Sequence, residues 1–302
     1  MYLKDLAASS GIDVIRDAEF ESLGKARDRK TKMLTFLESD EHLRAVLRNK
    51  GISCVVTTPE LASMLTVGYG VAVCPEPRLA FYQIHDHLRL ATDFYGRSFA
   101  SNIHPSATVH PTAHVALTDV RIRRGSIIEA HAVVLGRTVI GEESIIRAGA
   151  VIGSDGFEFR RVAGRIRPVP DSGGVKLGDR VEIQHNSVIQ KAPYGGSTTV
   201  ENDTKIGALV TVAHNCRVGR RCLIAEGSTI GGNSVIGDDV TVGSHCLIST
   251  RVRVGDGARI TVGAVVVRDV KPGQTVTGNF AIEHQRFLRF SAHLLSSKDF
   301  EP

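Results

Sequence analysis

A run of aliphatic residues with a period of six constrains the fold of this chain more than any other feature. From residue 200 to residue 266 an Ile or Val returns at every sixth position without a gap, at Val200, Ile206, Val212, Val218, Ile224, Ile230, Ile236, Val242, Ile248, Val254, Ile260 and Val266. An α-helix has a period of 3.6 and a half-buried strand a period of two, so neither explains this run. A sustained period of six is typical of a parallel β-helix in which about three hexapeptides close each triangular coil.

A second pattern accompanies the first, because the position four residues after each anchor is nearly always small or β-branched. Cys216, Cys222 and Cys246 occupy this position, which gives three of the five cysteines a place in the interior. The cysteines show no disulfide or metal-binding spacing. We therefore expect them to fill the core, and we expect no metal site.

The remainder of the chain divides around these repeats into three predicted parts. Residues 1–100 contain no hexapeptides and predict a small α/β head domain, with helices over 40–50 (Asp40 as the N-cap) and 78–88 and strands over 52–58 and 71–74. Residues 101–281 predict the β-helix, interrupted by loop insertions at 153–174 and 190–199. Residues 282–302 predict an amphipathic helix, over 282–295, and a short polar tail. The predicted fold class is mainly β.

Charge and hydropathy limit the possible partners. The net charge is +5, so anionic partners such as phosphates or an acidic carrier protein are plausible, although a well-solvated surface explains the same excess. No stretch of eighteen apolar residues suggests a membrane span, and the charged start argues against a signal peptide. We expect a cytoplasmic protein that binds no nucleic acid.

His214 is the strongest candidate for a catalytic side chain. It lies two positions after the inward anchor Val212, so its imidazole should point outward at a turn, where it can act as a general base near neutral pH. Eighteen residues later, and therefore one coil above, the chain has Gly232. A backbone N–H there could stabilise a developing oxyanion, so the two residues together predict a minimal site for acyl transfer.

His185 is a rival base, since it occupies the same place in its own hexapeptide and is also followed by an asparagine, Asn186. Counting hexapeptides puts His185 on a different edge of the column. A metal site built from several converging histidines is a further alternative on this architecture, but the sequence shows no cluster of that kind.

Several motifs in order resemble the UDP-3-O-acylglucosamine N-acyltransferases of lipid A synthesis over nearly the whole chain. They are Leu34-Thr35-Phe36, Asn102-Ile103-His104-Pro105, Ile152-Gly153-Ser154-Asp155-Gly156-Phe157, Leu177-Gly178-Asp179-Arg180, Val212-Ala213-His214-Asn215 and Thr277-Gly278-Asn279. Hexapeptides alone occur in many acyltransferases. The head domain, the Asp-Gly-Phe segment and the His-Asn pair make the resemblance more specific.

The resemblance implies a left-handed β-helix, a homotrimer with active sites between neighbouring subunits, and no cofactor beyond the acyl donor. It implies that His214 deprotonates the amine of a UDP-linked amino sugar, which attacks the thioester of an acyl carrier protein. The amide of Gly232 would stabilise the oxyanion, and Phe36 and His42 would hold the uracil. Other implied substrate contacts are Ser39, Asp155, Gly156, Phe157, Asn186, Lys191 and Asn215.

The chain departs from the family's pattern at positions that should face the substrate. Gly207 stands where the family usually has an Asp seven residues before the histidine. Gln190-Lys191 replaces an Asp-Arg pair, Thr250-Arg251 replaces a Gly-His pair, and Ser39 replaces an asparagine. We therefore expect a divergent member of the family.

Three functional hypotheses remain at this point. The first is an N-acyltransferase that uses a carrier-protein or CoA thioester. The second is a sugar-nucleotide acetyltransferase that uses acetyl-CoA or another short acyl-CoA. The third is a non-catalytic relative that binds a sugar nucleotide.

Overall fold

In the computed structural model, which describes residues 1–162, 164–278 and 283–296, three parallel sheets enclose one elongated hydrophobic core. The first face contains the strands Asn102–Ile103, Val120–Ile122, Thr138–Ile140, Gly174–Leu177, Ser197–Val200, Arg217–Val218, Val235–Ile236 and Arg253–Val254. The second face contains Thr108–Val109, Ile127–Ile128, Ile145–Ile146, Glu182–Ile183, Lys205–Ile206, Leu223–Ile224, Thr241–Val242, Arg259–Ile260 and Thr275–Val276. The third face contains His114–Val115, Val133–Val134, Val151–Ser154, Val188–Gln190, Thr211–Val212, Thr229–Ile230, Leu247–Ile248 and Val265–Val266. This confirms the predicted left-handed parallel β-helix.

Residues eighteen apart lie directly above one another in the uninterrupted part of the helix. Val212 pairs with Ile230, which pairs in turn with Ile248. All twelve anchors of the period-six run are buried, and so are Cys216, Cys222 and Cys246. The anchor Ile103, in the first coil, is 41% exposed because no coil lies beneath it.

The chain turns between faces at three edges, which we name by the faces they join. His214, Gly232 and Thr250 lie on the 3–1 edge, and His185 and Ala208 lie on the 2–3 edge. The second residue of most turns has a left-handed backbone, for example Asn215 with a φ of 57°. Asparagine tolerates this conformation better than most residues.

The head contains a five-stranded sheet with strands β1 (Asp13–Arg16), β2 (Ser22–Leu23), β3 (Met33–Leu37), β4 (Ile52–Thr57) and β5 (Gly70–Val73). The strand order is β1-β5-β4-β3-β2, and only β1 is antiparallel to its neighbour. Its helices are α1 (Ala7–Ser10), α2 (Leu43–Arg48), α3 (Pro59–Ala62) and α4 (Pro77–Ala91). Phe81 of α4 packs in the cluster on one side of the sheet, and Val46 of α2 packs in the cluster on the other.

The structure corrects several local predictions. The helix expected over 40–50 is a 3₁₀ turn, Asp40–His42, followed by α2, and Asp40 is its first residue rather than its N-cap. The first insertion is not a plain loop, because Phe159–Val162 and Arg165–Pro168 form an antiparallel hairpin.

Helix α5 (His284–Ser296) follows the β-helix near the end of the chain. Residues 279–282, which include part of the Thr-Gly-Asn motif, and residues 297–302 lie outside the described residues. Within the described part of the chain, no helix is both long enough and apolar enough to cross a bilayer.

Candidate active site at the 3–1 edge

The imidazole of His214 lies against the backbone of the next coil. Its Cε1 and Nε2 atoms are each 2.6 Å from the position that a Cβ on Gly232 would occupy. The backbone places the two residues together, since Asn233 donates its N–H to the carbonyl of His214 at 2.8 Å. A glycine is therefore required above this histidine, because any side chain would displace the ring.

The backbone of Gly232 leaves one hydrogen-bonding group available. Its carbonyl accepts the N–H of Arg251 at 3.0 Å, whereas its own N–H has no partner among the described residues. An unpaired N–H next to a proton acceptor is the arrangement that acyl transfer needs.

His214 is half-buried, and its Nδ1 is buried without a hydrogen-bond partner among the described residues. Burial lowers the pKa of the imidazole, while the negative charge of Glu158 opposes that shift. The ring is therefore neutral, and able to accept a proton, at neutral pH.

Both insertions leave the β-helix from this same edge. The first follows strand Val151–Ser154 and the second follows Val188–Gln190, both on the third face. They bring two polar side chains, Gln190 and Asp171, near the imidazole around Gly156. A Cβ added to Gly156 would lie 3.4 Å from His214 Cδ2, 3.2 Å from Gln190 Oε1 and 3.6 Å from Asp171 Oδ2.

Asp171 is a buried carboxylate beside the histidine. Its Oδ2 accepts the N–H of Gly156 at 2.7 Å, and its Oδ1 is buried without a partner among the described residues. Burial raises the pKa of this carboxyl to about 6. An ionisable group with a perturbed pKa in a cleft is a common feature of catalytic sites.

The remaining residues of the Asp-Gly-Phe segment face outward. Asp155 forms an ion pair with Lys191 at 2.9 Å, which links the two insertions. Phe157 is 88% exposed and contacts the ring of Phe159. The ring of Phe157 is therefore accessible at the surface.

The head domain closes the site from the other side. Lys25 forms an ion pair with the buried carboxylate of Glu158 at 2.7 Å. Above Gly232, Arg251 approaches the carboxylate of Asp28 to 3.6 Å. The segment between β2 and β3 is thereby joined both to the first insertion and to the 3–1 edge.

Phe36 lies at the end of β3 on the side of the sheet covered by α4. Its half-buried ring packs 5.1 Å from Phe81 and 6.3 Å from Tyr82, and the guanidinium of Arg78 lies 5.8 Å from it. Ser39 and His42 lie just beyond, with Ser39 Oγ 3.4 Å from His42 Nδ1. Phe36 is thus both a packing residue and an accessible aromatic surface.

The structure separates His185 and Asn186 from His214. Both are exposed on the 2–3 edge, where Ala208 lies above His185, because Leu209 donates its N–H to the carbonyl of His185. Asn215 lies on the 3–1 edge, but its amide donates a hydrogen bond to Asn233 Oδ1, one coil above, at 3.2 Å. Asn186 and Asn215 are therefore both turn residues of the β-helix, on different edges.

Sequence reasoning missed Lys25, Glu158 and Asp171. One sequence signal points to the region that holds Glu158 and Asp171. Both breaks in the period of six follow a third-face repeat, so both insertions start at the edge that carries His214. The contact of Lys25 with Glu158 joins segments 133 residues apart and leaves no local pattern.

Comparisons with known proteins agree with this architecture. A sequence profile for the bacterial transferase hexapeptide (six repeats) matches residues 119–154 and 197–232. The UDP-3-O-acylglucosamine N-acyltransferase of Leptothrix cholodnii is 33% identical over 93% of this chain and 90% of that protein. The chain belongs to the UDP-3-O-acylglucosamine N-acyltransferase family.

Other similar proteins cover less of the chain. The family member from Paracidovorax citrulli is 29% identical over 66% of this chain, and the match spans 60% of that relative's length. A solved UDP-N-acetylglucosamine acyltransferase from Campylobacter jejuni is 22% identical over 67% of this chain and 86% of that chain, with a TM-score of 0.48.

Proposed function

We propose that this protein transfers an acyl group from the thioester of an acyl carrier protein or CoA to the amine of a UDP-linked amino sugar. The observation that carries the proposal is the contact of the His214 imidazole with Gly232 at an edge of the β-helix that both insertions and the head domain flank. Family membership supports the same reaction, since the relatives are named for N-acylation of a UDP-linked acylglucosamine.

The reaction uses no nucleophilic residue of the protein. The amine nitrogen attacks the thioester carbonyl carbon, a C–N bond forms, and His214 accepts the proton that the nitrogen loses. The oxygen of the tetrahedral intermediate receives a hydrogen bond from the N–H of Gly232. When the carbonyl re-forms, the C–S bond breaks, and the departing sulfur takes the proton from the imidazolium to leave as a thiol.

The acidic partner expected seven residues before the histidine is absent, since Gly207 occupies that position. The unpaired Nδ1 of His214 shows that no other described group replaces it by direct hydrogen bonding. We propose that Glu158 of the first insertion replaces it electrostatically, because its negative charge raises the pKa of the imidazole. This assigns to the insertion a role that the family's pattern gives to the β-helix.

We propose that the acceptor lies with its uracil against Phe36 and its amine near His214. Aromatic and charged side chains lie between these two points. The ring of Tyr82 lies next to that of Phe36, and Arg160 forms an ion pair with Glu158, whose charge acts on His214. Arg160 also contributes to the electrostatic environment of Tyr82. The positive guanidinium is suited to a diphosphate lying between the two ends.

We further propose a homotrimer in which a neighbouring subunit completes the groove. Most outward positions of the third face, which ends at the 3–1 edge, are apolar, namely Val133, Val151, Val188, Leu247 and Val265, while His114, Thr211 and Thr229 are the polar ones. An apolar surface of this kind is suited to contact between subunits. Light scattering after gel filtration should give three times the chain mass, and a monomer that retains full activity would contradict this part.

The test combines a UDP-linked amino sugar with each of two donors, a long-chain acyl carrier protein and acetyl-CoA, and measures thiol release and the mass of the sugar product. We expect amide formation with at least one donor, and the preferred donor distinguishes the first two hypotheses. Tight sugar-nucleotide binding without thiol release from either donor would overturn the proposal in favour of the non-catalytic relative.

A further inference from the structure

A cavity of about 490 Å³ lies in the head domain between residues 26–29 and helix α2. Four exposed arginines line it: Arg27, Arg29, Arg44 and Arg48. None of the four guanidinium groups has a hydrogen bond or ion pair with another described residue. A cavity of this size falls within the range typical of small-molecule sites.

Three arginines of the β-helix show a different arrangement. On the 1–2 edge, Arg180, Arg220 and Arg221 each form an ion pair at 2.6 Å with an aspartate of the neighbouring coil. The neighbouring coil therefore provides a carboxylate for each of these three guanidinium groups. Four unpaired guanidiniums around one cavity repel each other, and a bound polyanion would remove that repulsion.

Two carboxylates also line the cavity, but one of them is already engaged. Asp28 accepts the backbone N–H of Lys25 at 2.9 Å and faces Arg251 at 3.6 Å, whereas Glu41 is exposed. The lining therefore keeps a net positive charge. Guanidinium groups bind phosphate through paired donors, so phosphate esters suit this cavity better than an uncharged ligand.

The cavity is separate from the surface proposed for uracil. Phe36 packs with Phe81 on the α4 side of the sheet, while α2 packs through Val46 on the opposite side. The cavity instead adjoins the upper end of the active site, because its wall residue Asp28 contacts Arg251, and the backbone N–H of Arg251 bonds to the carbonyl of Gly232.

We propose that this cavity binds the phosphate groups of the acyl donor, at the end of the pantetheine arm that is remote from the thioester. The proposal rests on the proposed function, because in that reaction the thioester of a donor with a phosphorylated arm must reach Gly232. Both donor types share this chemistry: a carrier protein presents one phosphodiester, and CoA presents a diphosphate together with a 3′-phosphate.

The test measures binding of two probes by calorimetry at low salt: adenosine 3′,5′-bisphosphate for the CoA end and 4′-phosphopantetheine for the carrier-protein arm. The variant is Arg44→Gln/Arg48→Gln, which removes two exposed charges without breaking a hydrogen bond of the described residues. The matched control is Arg259→Gln, an exposed arginine on the second face without an ion pair. We expect the variant to raise the Kd of the preferred probe at least ~10-fold, and the control to leave it unchanged.

In the acyl-transfer assay the same variant should raise the KM for the donor while leaving kcat and the KM for the UDP-sugar unchanged. The proposal is overturned if neither probe binds the wild-type protein, if the variant binds as tightly as wild type, or if only the KM for the UDP-sugar changes. These outcomes are distinct from a failure of the proposed function, since probe binding is measured without turnover. Absent thiol release combined with arginine-dependent probe binding would overturn the reaction and retain the phosphate site.

Discussion

Two edges of the β-helix carry a His-Asn pair at the same place in the repeat, yet their surroundings differ. On the 3–1 edge His214 lies beneath Gly232, is half-buried, and lies near both insertions and the charged residues Lys25 and Asp28 of the head domain. On the 2–3 edge His185 has Ala208 above it and is exposed. The repeat therefore provides a position for an imidazole, and the glycine one coil above together with the insertions turns that position into a candidate active site.

The largest expected effect comes from removing each imidazole in turn. His214→Ala should lower kcat by ~10²–10⁴-fold, the usual contribution of a general base. His185→Ala should leave kcat unchanged, because its ring contacts none of the residues around Gly232. Steady-state rates of thiol release from the two variants test the difference, with circular dichroism to verify folding. A loss of activity in His185→Ala alone would reverse the assignment.

Substitutions of the residues above the two histidines, Gly232 and Ala208, should differ in their effect on kcat. A Cβ at position 232 would lie 2.6 Å from His214 Nε2, so Gly232→Ala should displace the ring and lower kcat ~10²-fold. The matched change on the other edge, Ala208→Gly, should leave kcat unchanged and cost up to about 1 kcal/mol of stability. Kinetics and urea denaturation of both variants provide the measurement. Equal kcat values for Gly232→Ala and wild type would show that catalysis does not depend on the contact of the His214 imidazole with the backbone at position 232.

The carboxylates beside the two histidines should have opposite effects on stability. Burial raises the pKa of Asp171 from 3.8 to about 6, so its contribution to stability is present below about pH 4 and is lost as the pH rises through about 6. Asp171→Asn should therefore raise the free energy of unfolding by up to about 3 kcal/mol at neutral pH.

Glu129, on the 2–3 edge, differs because hydrogen bonding to Arg147 lowers its pKa. Its stabilising contribution is present at neutral pH and is lost as the pH falls through its folded-state pKa, so Glu129→Gln should lower the stability at neutral pH. Urea denaturation of both variants between about pH 4 and about pH 7.5 tests the contrast. Shifts of the same sign in the two variants would contradict it.

The smallest expected effect is on the pH dependence of catalysis. Burial lowers the pKa of His214, so the acidic limb of kcat/KM should fall below pH 6.5, the ordinary value for histidine. The charge of Glu158 raises this pKa, so Glu158→Gln should move the limb to still lower pH. A pH profile of kcat/KM measures the shift. A limb that moves to higher pH would show that Glu158 does not act on His214 electrostatically.

The β-helix and the contact of His214 with Gly232 could be predicted from the sequence because both follow from the length of the repeat. A period of six repeats the backbone every eighteen residues, which fixes the neighbours of each position without knowledge of any loop. Asp171 and Glu158 could not be placed this way, since their positions depend on how the first insertion folds back against Lys25 and Gly156. The head strands β1 and β2 are short and carry little alternation, so they leave a weak signal.

A structure with a UDP-linked amino sugar bound would test the central claim most directly. The account predicts the uracil against Phe36 and the amine nitrogen about 3 Å from Nε2 of His214. An amine bound beside His185, or a sugar nucleotide that leaves the 3–1 edge empty, would contradict it.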